Sequence, residues 1–195
     1  MYIPKHFEVT DQEEICRFIK ENAFGQLISS VDNRPFSTHL PFQLNAEQNS
    51  LFCHVARRNP QWKAIAEQEV LVTFQGAHDY VSPTWYNSAG LPTWNYQAVH
   101  VYGKAELITD ANELQSLVNA LSHTYEQSRA KPWEPDYNPS TLNMIVGIRI
   151  HISELQCQFK LSQNRSKEEQ QNVIDALNNS GAHALATQME KHRKQ

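Results

Sequence analysis

Apolar positions recur along this chain with two periods, and the switches between them mark its elements. Ile15, Phe18 and Ile19 share one helical face. Thr10 and Glu13 precede them with the spacing of a capping box, so a first helix is expected to run to about Asn22. From Phe24 the period becomes that of a strand. Residues 24–31 (FGQLISSV) end at a turn signal, Asp32-Asn33, and residues 35–44 (PFSTHLPFQL) make the partner strand. A loose loop at 45–50 leads to LFCHV, a third strand that continues a meander. In the next segment, HVARRNPQWKAIAE, a helix is expected directly after the strand. Asn59 stands there as N-cap and Pro60 at the first helical position, where its missing N–H costs nothing.

Residues 69–76 (EVLVTFQG) form an apolar strand that runs into the segment from Phe74 to Gly103. That segment holds Phe74, Tyr80, Trp85, Tyr86, Trp94, Tyr96 and Tyr102, while Asp79 is its only formal charge apart from His78 and His100. With Pro83, Gly90 and Pro92 in its middle, it reads as two strands joined by a shaped loop. Its rings suit either a ligand wall or a dimer seam. The second half, TWNYQAVHVYGKAEL, is long and alternating, and Gly103 marks a bulge or a close backbone approach. Asp110 and Glu113 form a second capping box, opening a helix with Leu114, Leu117, Val118, Leu121 and Tyr125 on one stripe and an end near Ser128. A loop with Pro132, Pro135 and Pro139 follows, anchored by Trp133. MIVGIRIHI and LQCQFKLS then make two further strands. Ser166 with Glu169 caps a helix reaching Asn178, residues 179–181 break it, and ALATQMEKHR forms a last short helix. About seven strands with hairpin-like connections, and helices at the ends and in one crossover, make a mainly β chain with peripheral helices (α+β), an antiparallel barrel. Residues 1–165 are expected as the barrel domain and 166–195 as a helical appendage.

At 195 residues the chain is long enough to bury about 70% of its unfolded surface in one core. A net charge of -4 argues against binding nucleic acid by general phosphate neutralisation, and the basic cluster Lys191, His192, Arg193 and Lys194 reads as a solvated tail. Cys16, Cys53 and Cys157, odd in number and without a C-x-x-C pair, indicate neither a disulfide framework nor a zinc site. With no apolar run of signal or membrane-spanning length, a cytoplasmic protein without membrane contact is expected.

The common nucleotide and hydrolase motifs are absent. His39, His54 and His100 could share one barrel, yet no pair has a tight ligand spacing, so the expectation is core hydrogen bonding and no metal. Cys53 and His54 should face opposite sides of their strand. Arg57 and Arg58 before a helix start offer either a phosphate site or a solvated pair. In FKLSQNR, two cations flank a hydroxyl and two amides. That mixture suits the polar edge of a planar heterocycle, or else an ordinary helix-entry loop. The last two helices have helix-turn-helix spacing, but the second carries its bases at the far end, which favours a packing hairpin.

Taken together, MYIPKHF, THLPF, HVARRNPQW, FQGAHDYVSPTWY, LPTWNYQAVHVYG and KLSQNR resemble the PaiB-like family of FMN-binding negative transcriptional regulators, from Met1 to about Leu177. The resemblance implies an antiparallel split β-barrel like that of pyridoxamine phosphate oxidase, a homodimer, and FMN at the subunit interface. It implies that Thr38 and His39 line the flavin site and that His54, Ala56, Arg57, Asn59, Gln61 and Trp62 make its phosphate corner. It brings Trp85, Tyr86, Trp94, Asn95, Tyr96, Lys160, Ser162, Gln163, Asn164 and Arg165 to the ring, partly from the second subunit. Small departures stand at Ala77, Cys53 and Leu91, none of which removes a ligand group. Repression and a DNA partner follow from the resemblance alone, because no residue pattern shows a DNA-reading element. The alternatives are a flavin-dependent oxidoreductase and a haem-handling split barrel. No residue is identifiable as a general acid or base committed to a substrate.

Overall fold

The computed structural model describes residues 1–66 and 68–193. Glu67, at the end of the second expected helix, and Lys194, in the terminal basic cluster, lie outside them. The described elements are α1 (Gln12–Glu21), β1 (Phe24–Val31), β2 (Arg34–Pro41), β3 (Gln43–Leu44), β4 (Ser50–Ala56), α2 (Gln61–Ala64), β5 (Glu69–Val81), β6 (Thr93–Ile108), α3 (Ala111–Glu126), β7 (Ile145–Lys160), α4 (Lys167–Ser180) and α5 (His183–Arg193). The strands form one sheet in the order β2-β1-β5-β6-β7-β4-β3. β1 pairs with β2 and β5, and β4 with β3 and β7, all antiparallel.

Contacts divide the chain into two compact units. One comprises Met1–Phe18, Phe74–His100 and Gln156–Gln195, the other Ile19–Thr73 and Val101–Leu155. In the first, the residues withdrawn from water include Phe18, Phe74, Phe159, Val173, Ile174, Leu177, Leu185 and Met189. In the second they include Leu27, Leu51, Ile65, Val72, Ile148 and Ile150, with a cluster of Ile108, Leu114, Leu117 and Leu142 under α3. Cys16, Cys53 and Cys157 are all buried and not disulfide-bonded. Burial pushes the Cys53 thiol far above its ordinary range and Cys157 to about 12.

Local signals that depend on a single cap hold. Asp110 Oδ1 accepts from the Glu113 N–H at 2.9 Å, Ser166 Oγ accepts from the Glu169 N–H at 3.2 Å, and Gly181 closes α4 at φ 87°. At α1 the cap is Asp11 and not Thr10: its carboxylate accepts from the Glu13 and Glu14 N–H groups at 2.9 and 3.3 Å. A carboxylate at that position serves two orphan donors and also suits the positive helix end.

Five expectations are corrected by longer-range packing. The strand expected over 35–44 divides into β2 and β3 because Phe42 turns inward, 2% exposed, and its N–H donates to Ala23 O at 2.8 Å. β4 does not continue a meander beside β2. It stands between β7 and β3, and the Asn45 side chain closes the β3–β4 turn by accepting from the Asn49 and Ser50 N–H groups. MIVGIRIHI and LQCQFKLS are one strand, β7. Their polar junction at Ser153-Glu154 is an exposed part of continuous strand without a glycine, proline or asparagine to turn it. Trp133 is not an anchor. It is 46% exposed and stacks on Tyr137, which packs against the cluster under α3 and donates its hydroxyl to Asn119 at 2.7 Å. Tyr125, expected on the buried stripe of α3, faces water.

Gly103 does mark a close approach: a Cβ there would stand 2.3 Å from His151 O and 2.8 Å from Ile150 Cγ2. Gly103→Ala should therefore lower stability by about 1–3 kcal/mol through overpacking, read as a lower urea midpoint. An unchanged midpoint would contradict the contact.

Candidate functional site

Gln61 organises the expected site residues of the unit formed by Ile19–Thr73 and Val101–Leu155. It is fully buried, and its Nε2 donates to Leu27 O and Ser29 Oγ, each at 3.0 Å. Thr38 Oγ1 donates to its Oε1 at 2.6 Å and accepts from Asn59 Nδ2 at 3.0 Å, while Asn59 Oδ1 accepts from the Gln61 N–H at 2.9 Å. Thr38, distant in sequence, thus joins Asn59 and Gln61 in one polar network. Pro60 takes helical dihedrals but stands as the N-cap, one position before the helix expected to begin with it, and α2 is a single turn, Gln61–Ala64. A helix that short sums few peptide dipoles, so the phosphate reading of this corner rests on side chains.

Arg57 is exposed, yet its guanidinium is positioned: Nε donates to Asn143 O at 2.6 Å and Nη2 to Ile145 O at 3.0 Å. Trp62 Nε1 donates to Arg57 O at 3.0 Å. Nη1 makes no hydrogen bond among the described residues, so one edge of the fork remains for an anion. Arg58 and Ala56 are exposed. Burial holds His54 below its ordinary pKa, and its buried Nδ1 has no partner among the described residues, so near neutral pH it acts as an uncharged imidazole. His39 is exposed and stacks on Phe24 at 6.2 Å.

The other unit contains the loop between β5 and β6 and the KLSQNR segment. Ser82 caps the Pro83–Trp85 turn by accepting from the Thr84 N–H, and Tyr86 then turns inward, 9% exposed. The Arg165 guanidinium lies 4.1 Å from the Tyr86 ring centroid, and its Nη1 donates to Ser88 Oγ at 3.2 Å. The Ser88 N–H and hydroxyl both donate to Glu169 Oε1, at 3.0 and 2.6 Å, and these bonds hold the Glu169 carboxyl below the usual carboxylate range. Asn87 donates to Glu168 at 2.9 Å and accepts from Asn172 at 3.1 Å. Glu169 therefore differs from the capping-box expectation. Its N–H is capped by Ser166, but its carboxylate serves the loop.

Asn95, 1% exposed, donates from Nδ2 to Ser162 Oγ at 2.9 Å and toward Met189 Sδ at 3.6 Å. A thioether only accepts, which fixes the amide orientation. Ser162, 3% exposed, adopts φ 64°, a left-handed conformation uncommon for serine. Gln163 folds back, accepting from the Leu161 N–H at 2.7 Å and donating to Phe159 O, and so braces the turn. Lys160 Nζ donates to Trp94 O at 2.6 Å and to Thr93 Oγ1, and burial lowers its pKa.

A cavity of about 490 Å³ lies within this unit. Residues 89–93 form one wall, and Tyr86, Asn95, Lys160, Ser162, Asn164 and Arg165 complete it. Trp85, Trp94, Tyr96 and Gln163, expected with them, do not line it. Trp94 is 48% exposed and donates from Nε1 to His78 Nδ1 at 3.3 Å. Sequence reasoning missed Asn87, Ser88 and Thr93, small polar residues with no motif. The residues with two chemical duties, Glu169 above all, were readable only for the local one. Among the described residues, no group of three or more His, Cys, Asp or Glu stands together as metal ligands would, and no helix is long and apolar enough to cross a membrane.

Residues 1–154 match the profile of a family described as "Putative FMN-binding domain". Protease synthase and sporulation protein PAI 2 of Bacillus subtilis (strain 168) is 42% identical over 187 residues, which cover 92% of this chain and 90% of that protein. An uncharacterized protein of Emericella nidulans is 31% identical over 217 residues, 86% of each chain. Of solved structures, the flavocytochrome Anf3 from Azotobacter vinelandii aligns with a TM-score of 0.68 at 16% identity, covering 84% of this chain and 74% of that one. The FAD and heme binding protein from Mycobacterium smegmatis aligns with a TM-score of 0.67 at 14% identity, covering 84% and 78%. At such identities these two carry the fold alone, which is the antiparallel split barrel with peripheral helices. The profile match over most of the chain, with a relative so similar along nine-tenths of it, shows that the chain belongs to the PaiB-like FMN-binding family.

Proposed function

We propose that this protein is a homodimeric regulator that binds FMN, the cytoplasmic role that its family resemblance implies. The observation that carries the reading is the family profile matched over residues 1–154, within which lies the Thr38–Asn59–Gln61 network with a positioned Arg57 beside it in sequence. In that unit the phosphate partner is Arg57, with Asn59, Gln61, Thr38 and the uncharged His54 as hydrogen-bonding neighbours and His39, Ala56 and Trp62 shaping the corner. In the other unit the ring partners are Tyr86, Asn95, Lys160, Ser162, Asn164 and Arg165 around the cavity, with Trp85, Trp94, Tyr96 and Gln163 outside its wall. These residues fit a flavin. The cavity offers an aromatic face, amides and cations, and no carboxylate lines it to repel an electron-rich ring edge. Residues 1–165 serve as the barrel domain and 166–195 as its helical appendage, with Glu168 and Glu169 fastening α4 to the loop at Asn87 and Ser88.

Phe24, Leu91, Trp94 and Met144 are 66%, 79%, 48% and 71% exposed, and a second copy of the chain would remove such side chains from water. The acidic net charge favours regulation through a protein surface over direct phosphate neutralisation on DNA.

Purified protein titrated with FMN should show a perturbed flavin absorption band at micromolar concentration. Arg57→Ala should weaken FMN about 10- to 100-fold and leave riboflavin nearly unaffected, since a charge-assisted phosphate bond is lost. Equal losses for both ligands would remove Arg57 from the phosphate corner. Sedimentation should give twice the chain mass at micromolar concentration, and a monomer there would end the dimer reading. Sustained oxidation of reduced nicotinamide by the flavin-loaded protein would instead make it an oxidoreductase.

A further inference from the structure

We infer that the cavity beside Tyr86 receives, next to the flavin, a second small molecule through its anionic group, a carboxylate or a phosphate, held by Lys160 and Arg165. This inference rests on the flavin reading and names the chemical class of what meets the flavin there: the cavity is shared, and Lys160 and Arg165, brought to the ring edge, also hold the anionic group beside it. Acidic residues outnumber Lys and Arg by 21 to 17 in the chain, yet the charged members of this wall are both cations. The cavity, about 490 Å³, falls in the usual range of small-molecule sites, roughly 300–1,000 Å³.

Both cations are positioned by hydrogen bonds to neutral groups and not by an ion pair among the described residues. Lys160 directs two of its three N–H groups to Trp94 O and Thr93 Oγ1. Arg165 rests one face on Tyr86 and gives Nη1 to Ser88 Oγ, while Nε and Nη2 make no hydrogen bond among the described residues. The Glu169 carboxylate is stabilised through space by the charge of Arg165. Its Oε1 is taken by the N–H and hydroxyl of Ser88, and no ion pair with Arg165 forms within 4.0 Å among the described residues. The loop clamp thus keeps the guanidinium available. Ser162 Oγ accepts from Asn95, so its own hydrogen remains to donate, and the Asn164 amide lies in the same wall. Burial that lowers the Lys160 pKa is the mark of a cation short of counter-charge, and a bound anion supplies it. A guanidinium fork and an ammonium together suit either anion.

The test titrates benzoate and, separately, inorganic phosphate into FMN-loaded protein at fixed ionic strength, followed by calorimetry and by the flavin absorption band. At least one probe should bind with FMN retained. Benzoate alone would identify a carboxylate ligand and phosphate alone a phosphorylated one. Lys160→Met and Arg165→Gln, each measured at FMN concentrations that saturate it by the flavin absorption band, should weaken that probe about 10- to 100-fold, whereas Lys160→Arg should keep most of the affinity. Arg165 also supports the loop, so if Arg165→Gln fails to fold, Lys160→Met against Lys160→Arg decides. With FMN bound, the inference is overturned if neither probe binds, if a probe displaces FMN, or if Lys160→Met binds it as well as the parent does. Protein that takes up no FMN overturns the flavin reading and this inference with it.

Discussion

A buried primary amide must satisfy two donors and an acceptor without water, and Gln61 does so in a way that the rest of its unit depends on. Its partners come from β1 (Leu27 and Ser29) and β2 (Thr38), so its bonds tie both strands to the single turn of α2. Leaving any of those partners unpaired would cost about 1–3 kcal/mol each. That penalty, and not helix propensity, keeps a four-residue helix in one place. The same turn orients Asn59 and fixes where Arg57 leaves β4. The candidate phosphate corner is in this sense a by-product of solving a desolvation problem.

The second unit solves a similar problem with a different purpose. Asn95 and Ser162 are both buried and pair with each other, which sets the left-handed turn that carries the chain from β7 toward α4. Around that turn, neutral hydrogen bonds place the charged side chains. Lys160 is held by a carbonyl and a hydroxyl, Arg165 by a ring and a hydroxyl, and Glu169 by a serine. Ion pairs lie elsewhere in the molecule, as where Arg149 bridges Glu106 and Glu113. Charges positioned by neutral partners keep their fields, and fields are what a site for a charged or polarisable ligand requires.

What could be read from the sequence follows the range of the forces involved. Asp110 and Ser166 announce their helices because a cap acts over three residues, and Gly103 announces a tight backbone contact because few other reasons place glycine in a strand. Asp11 displaced Thr10 because both are competent caps, and only the backbone path chooses between them. The division at Phe42, the continuity of β7 and the place of β4 beside it depend on pairing between residues far apart in the chain. In the site, KLSQNR was legible as a polar group, but not the inward fold of Gln163 or the clamp from Ser88 to Glu169. Nothing local distinguishes an amide that braces its own loop from one that faces a ligand.

The buried cysteines bear on how this protein ages in an oxidising setting. Oxidants attack the thiolate, and the attack requires access. Cys53 and Cys157 are held protonated by burial, and Cys16 is 2% exposed. A reduced flavin exposed to air generates peroxide, so a flavoprotein often works beside its own oxidant. Here the chain presents that oxidant with no accessible thiolate, and oxidative wear should fall first on exposed Trp133, where damage leaves the core packing intact.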